Sequence, residues 1–182
     1  MKKYGLYLMM IVTTLFSVTS CGDDDDNHQE QWMIANLTAF NAIKTDPEYK
    51  ELVSPGNEGS IYYKVLEAGT GTDSIRYTSA VSCYYKGCYV ADYPEYNIEK
   101  GDVCDQRLFD GSPSVFTLNS VMSGWKTALQ HMVKGDKWEI WIPYQLAYGR
   151  SGYKNSSTSV VIPGYSTLMF EISIVDVKGV DD

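Results

Sequence analysis

Apolar residues at Trp32, Met33, Leu37, Phe40 and Ile43 recur at spacings of three and four, which predicts an amphipathic helix from His28 to about Lys44. Asp46-Pro47 closes or kinks it, since proline cannot continue the helical hydrogen-bond ladder, and Ser54-Pro55-Gly56-Asn57 reads as a turn. From Ile61 the pattern changes. Ile61 to Leu66 reads as a strand, Gly69-Thr70-Gly71 as a turn, and Ala80 to Lys86 as a second strand. Trp138, Ile140 and Ile142 alternate with Lys137, Glu139 and Trp141, which predicts a strand with one buried face. Leu168, Phe170, Ile172 and Ile174 alternate with Met169, Glu171 and Ser173 in the same way. Between these strands Trp125, Ala128, Leu129 and Met132 share one face of a short helix that Gly135 stops. The predicted class is α+β.

The beginning of the chain follows other rules. Lys2 and Lys3 precede an apolar run, Leu6 to Val18, that is too short to span a bilayer comfortably, so residues 1–20 read as a signal peptide. Val18-Thr19-Ser20-Cys21 resembles the bacterial lipobox, which implies acylation of Cys21; an ordinary signal peptide with an incidental cysteine is the alternative. Residues 21–27 carry four aspartates and are expected to stay extended by self-repulsion, as an acidic tether. Such a run after a lipidated cysteine resembles the surface-export signal of Bacteroidetes lipoproteins. The expected location is the outer membrane of the cell envelope, with the leaflet and surface display open. Residues 28–57 form the N-terminal helical segment and residues 58–179 the domain. The short first helix is expected to pack on that domain, giving a monomer; a dimerising arm is the alternative.

A net charge of −8 and the lack of a basic patch exclude non-specific nucleic-acid binding. His28 and His131 have no partners at metal-ligand spacing, so neither a metal nor a cofactor is expected.

Six fragments occur in order: Tyr84-Tyr85-Lys86-Gly87, Phe109-Asp110-Gly111, Val121-Met122-Ser123-Gly124-Trp125, Leu146-Ala147-Tyr148-Gly149, Val161-Ile162-Pro163 and Leu168-Met169-Phe170-Glu171. Together, over roughly Ile61 to Val177, they resemble the FKBP family of peptidyl-prolyl cis-trans isomerases. The resemblance implies a mostly antiparallel sheet wrapped around one short helix. It also implies an apolar pocket for proline-containing polypeptides. Trp125 would be its floor, and Tyr85, Phe109, Val121, Met122, Ile162 and Phe170 its walls. Tyr148 would aim its hydroxyl at the substrate carbonyl, joined by the Met122 backbone N–H. Asp110 would sit at the rim, although an aspartate before Gly-Ser also shapes turns.

The chain departs from the family in several places. Met122 stands where a branched residue is usual, Ser114 replaces an aromatic of some relatives, and the loop from Arg150 to Ser159 is longer and more polar. Residues 88–108 replace a short turn and contain Tyr89, Tyr93, Pro94 and Tyr96. Cys88 and Cys104 are candidates for a disulfide closing this insertion, with reduced thiols as the alternative. Asp73-Ser74-Ile75 resembles a Bacteroidetes O-glycosylation sequence, but a polar turn is the plainer reading. Two functions are open: a prolyl isomerase serving exported proteins, and a non-catalytic protein-binding lipoprotein that grips partners through the insertion.

Overall fold

The computed structural model describes residues 23–108, 110–155 and 160–179; the predicted signal peptide and Cys21 lie outside them. The elements in chain order are α1 (Asp23–Lys44), β1 (Lys50–Val53), β2 (Ser60–Glu67), β3 (Ala80–Tyr89), β4 (Val103–Arg107), β5 (Ser114–Thr117) and α2 (Ser123–Leu129). They continue with β6 (Lys137–Ile142), β7 (Tyr153–Lys154), β8 (Val161–Ile162) and β9 (Leu168–Lys178). One antiparallel sheet runs in the order β1-β2-β6-β9-β3-β4, with β5 also on β3, and β7 pairs β8 separately. The α+β architecture is the one expected.

The period-two signals sit where the sheet buries one face. Trp138, Ile140 and Ile142 of β6 are buried, as are Leu168, Phe170, Ile172 and Ile174 of β9. Against that face lies α2, its approach permitted by Gly124, where a Cβ would fall 2.3 Å from Ile142 Cγ2.

Helix α1 packs on the domain through Trp32, Asn36 and Phe40, one turn apart and all buried. Asn36 is polar but satisfied: its Nδ2 donates to the Trp32 carbonyl at 2.9 Å, and its Oδ1 accepts the Thr167 N–H at 2.8 Å. The Trp32 indole N–H donates to the Gly164 carbonyl at 2.9 Å. Its ring stacks on Tyr93 of the insertion, with centroids 4.8 Å apart.

One expectation is corrected here. The described part of α1 already includes Asp23, so residues 23–27 of the acidic tether are helical and not extended. The insertion, in turn, is closed by backbone pairing: β3 and β4 form a ladder from Tyr85 opposite Arg107 to Cys88 opposite Val103. The Tyr89 N–H donates to Asp102 at 3.0 Å and the Gly101 N–H to Tyr89 at 2.8 Å, extending the hairpin. Cys88 and Cys104 are free buried thiols. A register shift sets Val103, not Cys104, opposite Cys88, so the two are not cross-strand partners.

Candidate active site

Trp125, on the first turn of α2, is 3% exposed. Three rings from three strands meet its indole edge-on: Tyr85 of β3 at 5.2 Å, Phe116 of β5 at 5.7 Å and Phe170 of β9 at 5.4 Å. Interplanar angles of 84°, 82° and 87° are those that ring quadrupoles prefer. Gly87 makes room for Phe170, because a Cβ there would lie 2.3 Å from its Cε1. Above the indole opens a cavity of about 380 Å³, completed by Val121, Met122, Ser120, Ala147, Tyr148 and Asp105.

Polar groups stand at its edge. The Tyr85 hydroxyl donates to Oδ2 of Asp105 at 3.0 Å. Burial, and then the Asp105 charge, push the Tyr85 phenol well above its ordinary range, so it remains a donor. Tyr148 is pushed up to about 12, by burial first and by Asp105 second. No acceptor for its hydroxyl lies among the described residues, which leaves it available to a ligand carbonyl. Met122 caps α2 with extended backbone (φ −60°, ψ 154°), and its N–H donates to no backbone carbonyl among the described residues. No group of three or more His, Cys, Asp or Glu side chains that would suit a metal ion occurs among the described residues. The arrangement suits shape and hydrogen-bond recognition of an uncharged group.

Of the residues expected in the pocket, Tyr85, Val121, Met122, Trp125, Tyr148 and Phe170 converge on this cavity. Phe109 lies outside the described residues. Ile162 is buried, but in β8 beside a neighbouring cleft that shares Tyr148 and Asp105 with the cavity. Asp110 is exposed and does not line the cavity. The reason is topological: β4 and β5 occupy successive stretches of one edge of β3, so the segment between them loops outward.

Asp105, Phe116, Ser120 and Ala147 were missed. Phe116 had a readable signal, since it lies two residues after Ser114 and so shares its face of β5. Asp105 had none, because nothing in the insertion announces its register against β3.

The chain matches the FKBP-type peptidyl-prolyl cis-trans isomerase family over residues 72–175. It is 34% identical over 120 residues to the FKBP-type 22 kDa peptidyl-prolyl cis-trans isomerase of Escherichia coli K12, covering 66% of this chain and 51% of that protein. It is 34% identical over 137 residues to the peptidyl-prolyl cis-trans isomerase Mip of Coxiella burnetii, covering 75% of this chain and 51% of the relative. A crystal structure of a peptidyl-prolyl cis-trans isomerase from Pseudomonas syringae pv. tomato superposes with a TM-score of 0.64 at 32% identity, covering 83% of this chain and 96% of that one. The chain belongs to the FKBP-type peptidyl-prolyl cis-trans isomerase family. It spans about half the length of these two curated relatives.

Proposed function

We propose that this chain is a peptidyl-prolyl cis-trans isomerase, anchored by a lipid on Cys21 in the outer membrane, that assists the folding of exported proteins. The observation that carries the reading is the three-ring collar around Trp125, open on one side, with the Tyr148 hydroxyl and the Tyr85–Asp105 pair at its edge. The barrier to rotation about an Xaa-Pro bond, about 18–20 kcal/mol, is amide resonance. Water stabilises the resonance form, so a dry apolar cavity weakens it. The proline ring would rest on Trp125 between Tyr85, Phe116 and Phe170. Twisting turns the carbonyl out of the amide plane, where the Tyr148 hydroxyl and the Met122 N–H receive it. Only the twisted state gains from donors so placed, which is the condition for lowering the barrier. No bond is made or broken.

Asp105 holds Tyr85 in place in this scheme and takes the rim position expected of Asp110. A binding role for the insertion would rest on Tyr96, which is 50% exposed, because Tyr89 and Tyr93 are each 7% exposed and packed on Trp32. The test is the cis–trans exchange rate of short Xaa-Pro peptides by NMR, with Trp125→Ala alongside. Catalysis by the wild type that the variant lacks supports the reading. A folded wild type that accelerates no peptide overturns it.

A further inference from the structure

Next to the proline cavity lies a second cleft, of about 440 Å³, that shares Asp105 and Tyr148 with it. One wall is four consecutive residues of β4, Val103 to Gln106. Neighbouring side chains of a strand point to opposite faces of the sheet, so a cleft on one face would touch only every second residue. Contact with all four places the cleft along the strand's edge. That edge is unpaired: β4 ends the sheet order, and no strand among the described residues lies beyond it. The opposite wall comes from the β7–β8 pair, with Tyr153, Val160 and Ile162. The Tyr89 hydroxyl, from the strand that carries β4, donates to the Val161 carbonyl at 2.7 Å and so fixes the spacing of the two walls.

We infer that the β4 edge docks the client polypeptide itself, as an added strand flanking the proline held over Trp125; the inference rests on the isomerase reading of that cavity. The occupant follows from the shared boundary, since a chain leaving the cavity past Tyr148 and Asp105 enters this cleft. It arrives extended, because the residue before a proline is pushed out of the helical region. Proline has no N–H to give a ladder, so its neighbours supply the main-chain hydrogen bonds while its ring fills the cavity. Four residues of edge, about 13 Å, accommodate a short strand. Recognition is through the backbone, so clients need length and an extended conformation more than a particular sequence.

The test compares a tetrapeptide containing Xaa-Pro with the same peptide lengthened by six residues at either end. It uses the full-length chain in mild detergent and NMR exchange. Lengthening at one end is expected to raise kcat/KM about tenfold, the effect of one or two net hydrogen bonds. N-methylation of alternate backbone amides in that extension is expected to abolish the gain in one register and leave it in the other. Equal rates for short and long peptides, or loss regardless of register, overturns the docking while the tetrapeptide rate still supports the isomerase. No acceleration of any peptide overturns both. A dimer in solution with β4 amides protected in the absence of peptide assigns the edge to a second copy of the chain and overturns the inference.

Discussion

The Tyr85 hydroxyl, in the wall over Trp125, is hydrogen-bonded to the Asp105 carboxylate at 3.0 Å, while Asp110 of the recognisable family fragment is exposed outside the cavity. The two aspartates make opposite predictions. Asp105→Asn is expected to lower kcat/KM about fivefold, a modest effect because the carboxylate is exposed and screened. Asp110→Asn should leave the rate within about twofold. NMR exchange rates on one Xaa-Pro peptide decide it, and the reverse ranking would return the rim role to Asp110.

Tyr148→Phe removes one hydroxyl and keeps the ring. A single neutral hydrogen bond made in the twisted state is worth about 1 kcal/mol, so kcat should fall about fivefold with KM and Tm little changed. A rise in KM at constant kcat would show that the hydroxyl binds the ground state equally well.

Alkaline pH should destabilise the fold through groups that burial keeps protonated. Tyr148 rises from 10.0 to about 12, and the Cys83 and Cys104 thiols rise from 9.0 to about 12, all mainly by burial. A raised folded-state value means that the folded chain holds the proton more tightly. The contribution is therefore complete below the unfolded values and is lost as pH climbs through the folded ones. The Tm should hold to about pH 9 and then fall progressively toward pH 12. Cys83→Ala and Tyr148→Phe should each flatten part of that slope in thermal melts.

Gly87→Ala places a methyl group against the Phe170 ring in a space that has none to give. Overpacking of this kind costs about 1–3 kcal/mol, readable in urea unfolding, and should displace Phe170 from the Trp125 collar. The isomerisation rate should fall by more than the lost stability explains under conditions where the variant is fully folded.

Trp32→Ala should separate the first helix from the insertion. Loss of a buried indole costs about 3–5 kcal/mol, and here it also leaves the Gly164 carbonyl without its donor. Limited proteolysis is expected to cut first between residues 90 and 101. Cleavage confined to other loops would show that the β3–β4 ladder alone holds the insertion.

The sequence by itself determined the α+β class, the strands of alternating burial and six of the residues lining the cavity over Trp125, namely Tyr85, Val121, Met122, Trp125, Tyr148 and Phe170. It could do so because these depend on local period and on six ordered fragments. Trp138, Ile140 and Ile142 are buried because their strand has one face on the core, and that fact is written in the spacing. What only the tertiary structure decided are the contacts between segments distant along the chain. Asp105 reaches Tyr85 because β4 pairs with β3 in one register, and register is a property of two strands together. Phe109-Asp110-Gly111 kept the family pattern, yet the pairing of β4 and β5 along one edge carried Asp110 outward. Asn36 read as an ordinary polar helix position, and only the arrival of Thr167 explains why it is buried. The β3–β4 ladder that draws the ends of the insertion together is made of backbone hydrogen bonds, which no side-chain pattern encodes.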